Sequence, residues 1–303
     1  MEKGKGILLV LLAALISGIS IFLNSFAVRG INPFIFTTLK NSVVAVLLFS
    51  FIALAARKEL HNFLDKSTLG KLALVGLVGG SIPFALFFYA LSISSGVTAG
   101  FIHKTLFIFA SLFALVFLRE KLDKKFLLGA VFLLAGNFLL FPPAGLFSFP
   151  ALLVFIATLF WALENVISKR LLYEMPASLV AFGRMFFGAL FLLAFLAFTG
   201  QLEFAAMISF PQLQWVFLTS AFLFLYVFTY YSGLKRLRVS TATSVLLLAQ
   251  PVTLLLSAAF LGKAVSLAQG LGMLLVASGV IVIIGFSLAF RALKWKGVSI
   301  ARE

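Results

Sequence analysis

The sequence predicts an all-α integral membrane protein of ten transmembrane helices, arranged as two inverted five-helix repeats. Three observations carry this. The 303 residues are 63% hydrophobic and 11% charged, against about 45–50% and about 25% in ordinary soluble domains. Ten mostly apolar stretches follow one another with short connections, each near the roughly 20 residues a helix needs to cross a bilayer. The basic residues cluster in alternate connections.

Taken in order, the stretches lie at 6–27, 33–55, 71–92, 97–118, 125–141, 150–168, 177–199, 212–233, 239–261 and 266–289. The first follows Lys3 and Lys5, but its apolar run is too long for a signal peptide and lacks a small-x-small cleavage site, so it is read as a retained helix. The third and ninth contain Pro83 and Pro251, each of which removes a backbone donor and kinks its helix. Gly76-x-x-x-Gly80 and Gly96-x-x-x-Gly100 permit close helix approach and are read as packing features. Spans five and ten carry few polar residues and read as peripheral.

Nineteen of the 24 Lys and Arg residues fall at the two termini and in alternate loops: Lys3, Lys5, Arg57, Lys58, Lys66, Lys71, Arg119, Lys121, Lys124, Lys125, Lys169, Arg170, Lys235, Arg236, Arg238, Arg291, Lys294, Lys296 and Arg302. Only Arg29 and Lys263 lie in the opposite loops, and Lys40, Lys104 and Arg184 lie inside spans. By the positive-inside rule both termini are expected on the cytoplasmic side of a prokaryotic cytoplasmic membrane. The net charge of +15 is thus a topology signal. Nucleic-acid binding, which needs a basic face on a folded domain, is not expected.

Sliding the chain on itself finds a second copy. An offset of 144 places Lys40 on Arg184, and Ser17, Ser20 and Asn24 on Trp161, Glu164 and Ser168. An offset of 143 aligns LREKLDKKFLLGAVFLLAG (118–136) with LGKAVSLAQGLGMLLVASG (261–279). The division is drawn at 1–143 and 144–303. Five spans per copy is an odd number, so the second copy enters the membrane upside down, as in carriers that alternate access to a central site.

These features resemble the drug/metabolite transporter superfamily, EamA type. The resemblance rests on WALENVISKRLL (161–172), on Lys40 and Arg184 early in the second span of each copy, on LREKL (118–122) before GAVFLLAG (129–136), and on Gln250-Pro251. It covers about residues 6–287. Two positions depart from the pattern: the Trp-Gly feature is Ser17-Gly18 in copy one and Trp161-Ala162 in copy two, and the acid Glu120 is replaced by Lys263. The resemblance implies a transporter without a cofactor, with amino-acid export as the family tendency and dimer contacts through spans five and ten.

Ionisable residues inside spans cost about 2.5–3.5 kcal/mol each on insertion scales and mark functional sites by default. They are Lys40, His103, Lys104, Glu164 and Arg184. On a rise of about 1.5 Å per residue, the first three form an outer cationic group, and Glu164 with Arg184 an inner ion pair. That pair is read either as a packing device or as a gate or proton-linked site. Lys40 has no acid at its depth, so it either snorkels to headgroups or holds an anionic ligand. Lys104, on one face with Gly100 and Phe107, is the better cavity candidate, with His103 at the edge of that face. Trp161 and Asn165 share the polar face of span six with Glu164 and Ser168. Tyr226, Thr229, Tyr230 and Gly233 line span eight, and with Tyr89 and Trp161 they suggest an aromatic wall. Thr243 and Gln250 stripe span nine.

The chain has no cysteine and two histidines, His61 and His103, which excludes thiolate metal sites and cysteine nucleophiles. There is no Walker A sequence and no H-E-x-x-H motif. His61 and Asp65 in the HNFLD loop read as solvated. No metal site, cofactor or enzymatic activity is expected. The reading is a carrier of an amino acid or organic anion, with membrane lipids as neighbours. Quaternary amines, drugs or lysolipids are the alternative cargo.

Overall fold

The computed structural model describes residues 2–28, 30–55, 57, 65–93, 96–143 and 145–285. Arg29, Lys58, His61, Arg291, Lys294, Lys296 and Arg302 lie outside the described residues. Among the described residues the fold is helical throughout, and nine helices are long and apolar enough to cross a membrane. These are α1 (Glu2–Ala27), α2 (Pro33–Ala55), α3 (Lys66–Leu91), α4 (Thr98–Phe117), α6 (Phe149–Leu171), α7 (Ala177–Phe198), α8 (Phe210–Arg236), α9 (Val239–Leu261) and α10 (Leu267–Ile284). The stretch read as the fifth span forms α5 (Lys124–Leu140), a helix of 17 residues. At about 1.5 Å per residue it is about 25 Å long, short of the roughly 30 Å hydrocarbon core.

Helix starts are set by local caps. Asp65 accepts from the Thr68 N–H at the head of α3, so this acid, read above as solvated, has a structural task. Asp123 accepts from Phe126 N–H to start α5, and Ser266 and Gln269 form a capping box on α10. The starts recur at constant spacing. Pro33 and Ala177 are 144 residues apart, as are Lys66 and Phe210, while Lys124 and Leu267 are 143 apart.

Close approach between helices is made by glycine. A Cβ on Gly129 would lie 2.8 Å from the Gly279 carbonyl oxygen, and one on Gly136 2.8 Å from that of Gly272. This lets α5 and α10 meet backbone to backbone. Gly80 and Gly188 do the same for α3 and α7, where a Cβ on Gly80 would sit 2.8 Å from Gly188 Cα. The packing reading of Gly76 and Gly80 agrees with this arrangement.

Several helices are interrupted near their middle. In α3 residues Gly76–Ser81 widen into a π-helix. In α4 the helix breaks at Thr105, between Gly96–Lys104 and Leu106–Phe117. In α9 residues Leu246–Leu248 tighten into a 3-10 turn. The breaks in α4 and α9 stand about 143 residues apart.

At one end of the bundle the basic residues converge. Lys169 donates to the carbonyls of Leu234 (2.8 Å) and Lys235 (3.0 Å) in the last turn of α8, where carbonyls run short of helical donors. Arg238 reaches the Lys121 carbonyl at 2.6 Å. Glu120 accepts from the backbone N–H of Val239 (2.6 Å) and Ser240 (3.2 Å) and from the Ser240 hydroxyl (2.9 Å). Ion pairs Lys71–Glu174 (2.6 Å) and Arg236–Glu2 (3.0 Å) complete this basic end. At the far end Asn32 donates to Gln201 (3.0 Å) and Gln212 to the Gly30 carbonyl (3.0 Å).

Candidate functional site

The site is organised around two carbonyls of α3. Pro83 has no N–H, so the Gly79 carbonyl four residues earlier loses its usual helical donor, and the π-turn shifts the register around it. Two side chains use that carbonyl: Trp161 Nε1 from α6 at 3.1 Å and Arg184 from α7 at 3.3 Å. The neighbouring Gly80 carbonyl accepts from Asn41 of α2 at 3.2 Å. Four helices are therefore joined through one distorted turn. Gly79 admits the contact because a Cβ there would fall 2.2 Å from Glu164 Cγ.

The expected Glu164–Arg184 ion pair is not formed. Glu164 accepts instead from the Tyr231 hydroxyl (2.5 Å) and the Ser168 hydroxyl (2.5 Å), and it is 2% exposed. Arg184 lies across Gly79 from it, bonded to backbone, with its Nε buried and without a hydrogen-bond partner among the described residues. The physical reason is geometric. The freed carbonyl is a ready acceptor on the Arg184 side, while two hydroxyls crowd the carboxylate on the other. Asn165 donates to the Trp161 carbonyl (2.8 Å) and accepts from the Tyr230 hydroxyl, so the polar face read on span six is satisfied from α8.

Lys40 does not snorkel. It is 8% exposed, donates to Asn24 at 2.7 Å, and lies over the Phe36 ring at 4.9 Å. Asn24 in turn donates to Ser20 at 3.2 Å. The position that holds Glu164 in the second copy thus holds a neutral hydroxyl here, and the ammonium has no carboxylate partner among the described residues.

His103, expected at the edge of its helix face, is the residue brought against Trp161, with ring centroids 4.7 Å apart. Phe87 lies 5.6 Å from the same imidazole, whose Nδ1 is buried without a hydrogen-bond partner among the described residues. Lys104 stands at the Thr105 break and makes no hydrogen bond or ion pair among the described residues. Gln250 is not with this group. It donates to Asn137 of α5 at 2.9 Å, and Asn137 donates to the Phe101 carbonyl at 3.1 Å, so the three tie α9, α5 and α4 together. Tyr226 and Tyr230 stack at 5.6 Å, whereas Tyr89 is half exposed.

The sequence reading does not include Tyr231, and it names Asn24 and Lys169 without their contacts to Lys40 and the α8 carbonyls. Tyr231 is next to Tyr230 and so points about 100° away on the helix, off the stripe that was read. Lys169 counted as a loop charge although it is buried on carbonyls. Glu120 is legible as part of the LREKL motif, but its partner at the head of α9 is distant in sequence.

Comparison with known proteins decides the family. The model of the EamA-like transporter family matches residues 4–141 and again 148–301. The chain belongs to the EamA-like transporter family. It is a multi-pass membrane transporter, as the sequence resemblance implied. A relative in Clostridium kluyveri named "Uncharacterized transporter" is 24% identical over 236 residues, which is 72% of this chain and 73% of that protein. A solved structure described as "Crystal structure of protein" superposes with a TM-score of 0.75 at 19% identity, covering 91% of this chain and 96% of the other. That likeness concerns the fold of this EamA-like transporter and carries no substrate.

Proposed function

We propose that this transporter moves a small carboxylate, an amino acid or another organic anion, by alternating access between two inverted five-helix repeats. Export across a prokaryotic cytoplasmic membrane, with both termini cytoplasmic, belongs to the same reading. The observation that carries it is Lys40. A buried ammonium whose only polar partner among the described residues is a neutral amide is under-compensated, and a substrate carboxylate supplies the missing charge. Among the described residues Lys104 has no hydrogen-bond or ion-pair partner and Arg184 is held by a carbonyl, and both add to a positive interior. The one buried carboxylate among the described residues, Glu164, is occupied by hydroxyl donors. His103, Trp161, Asn165 and Tyr230 supply an aromatic and amide lining for the rest of the molecule. Gln250 belongs to the α4–α5–α9 junction and has a packing role in this reading.

The breaks in α3, α4 and α9 support the mechanism, because interrupted helices at mid-bundle provide both ligand-facing carbonyls and hinges. The basic end is cross-linked by Glu120, Lys169 and Arg238, consistent with closure at that end.

The test is counterflow in proteoliposomes over amino acids, organic acids, quaternary amines and lysolipids, comparing the parent with Lys40→Ala. Exchange of amino or organic acids that falls at least tenfold in the variant is expected. Exchange confined to amines or lysolipids, and indifferent to Lys40, would overturn the substrate assignment while leaving the family intact.

A further inference from the structure

A cleft of about 470 Å³ opens on the basic half of the bundle, between α3, α4 and α6. Helices α3 and α4 adjoin at their far ends and splay at the basic end, with one face of α6 as the floor. The walls include Leu74, Phe117 and Val166, and the rim carries Lys71, Arg170 and Glu174. This floor is the face of α6 opposite Glu164 and Asn165, so the cleft is separate from the site described above. Leu74 is 46% and Phe117 58% exposed, which places the mouth toward the bilayer.

The constant helix spacing identifies the corresponding place in the second half of the chain. Positions Lys71 and Leu74 correspond to Trp215 and Leu218, Val166 and Arg170 to Phe22 and Phe26, and Phe117 to Phe260. There the space is filled from within. Phe26 stacks on Trp215 at 6.2 Å, Phe22 packs on Phe26 at 5.2 Å, and Phe22 meets Phe260 at 5.9 Å. In the first cleft three of these four aromatic positions hold Val166, Arg170 and Lys71. The plug has been replaced by a smaller residue and two cations.

We propose that this cleft binds an anionic phospholipid, an acyl chain lying along Leu74, Phe117 and Val166 and the headgroup phosphate on Arg170. Away from the charged rim its walls are apolar and give water few polar partners. In a bilayer hydrocarbon fills it instead. The headgroup preference follows from charge. Lys71 and Glu174 neutralise each other at 2.6 Å, which leaves Arg170 as the net positive group, at the end of the bundle where basic residues crowd and anionic lipid is attracted. The proposal uses the repeat spacing and is independent of what the transporter carries.

Native mass spectrometry of the purified protein, titrated with vesicles of dioleoyl phosphatidylglycerol or of dioleoyl phosphatidylcholine, tests it. The parent is expected to retain phosphatidylglycerol in clear preference. Arg170→Ala should lower that preference about five-fold, the weight of one interfacial cation. The double variant Val166→Phe, Arg170→Phe, which copies the filled half, should retain neither lipid. Equal retention of the two lipids by the parent would overturn the proposal, as would an unchanged preference in Arg170→Ala. If the double variant does not fold, those two measurements still decide.

Discussion

Glu120 offers the sharpest test of how the basic end is held. Its carboxylate reaches from the end of α4 to the head of α9, taking the Val239 N–H at 2.6 Å, the Ser240 N–H at 3.2 Å and the Ser240 hydroxyl at 2.9 Å. Hydrogen bonds to charged groups contribute about 1.5–3 kcal/mol each when buried. Here Glu120 is only partly buried and water replaces part of what is lost, so about 2 kcal/mol for the whole contact is the reasonable sum. This includes about 0.3–1 kcal/mol from a negative charge at a helix N-terminus. Glu120→Ala should therefore raise the open fraction of the α4–α9 junction about 30-fold, since about 1.4 kcal/mol is tenfold. Glu120→Gln keeps one acceptor and should give about five-fold. The assay is thiol labelling of Ser244→Cys, a fully buried position one turn deeper in α9, in a chain with no other cysteine. When reclosing is fast, the labelling rate reports the open population. A rate in Glu120→Ala within threefold of the parent would refute the idea that this contact holds the end closed.

Three further outcomes follow from local geometry. Gly80→Ala places a Cβ 2.5 Å from the Arg184 carbonyl oxygen and 2.8 Å from Gly188 Cα; backbone cannot yield cheaply, so a loss of about 3 kcal/mol or failure to fold is expected in thermal melts. Arg119 sits at φ 55, where the equivalent position in the second half is Gly262 at φ 63. Arg119→Gly should stabilise by about 0.5–1 kcal/mol because the left-handed conformation costs a side-chain-bearing residue, and a lowered melting temperature would contradict this. Asp123→Ala removes the cap on α5 and should cost about 1 kcal/mol. The backbone N–H of Phe126 holds the Asp123 carboxyl below its usual range. The difference from the parent is therefore full above the ordinary aspartate pKa and disappears as pH falls through the depressed value, which melts across pH would register.

The membrane class, the helix positions and the family were legible from the sequence alone, because they depend on local quantities. Apolar length places a helix in the bilayer, cap residues such as Asp65 and Asp123 start it, and the spacing of about 144 residues between like positions is visible in the letters. Lys40, Trp161, Asn165 and Glu164 are legible as polar positions of the bundle interior because an ionisable or polar residue inside an apolar run stands out whatever it touches. Which groups meet was a tertiary matter. The Glu164–Arg184 pairing failed because attraction of opposite charges was weighed without Pro83, whose missing N–H leaves the Gly79 carbonyl open to Arg184 and Trp161. Gln250 went to Asn137 for the same kind of reason, a polar partner supplied by a helix distant in sequence. The filled and unfilled clefts differ by a few side chains whose role appears only when three helices are brought together. Helix formation depends on neighbours within four residues and can be read along the chain, whereas the partner of a buried polar atom is set by whichever helix the packing of glycines and side-chain volumes places beside it.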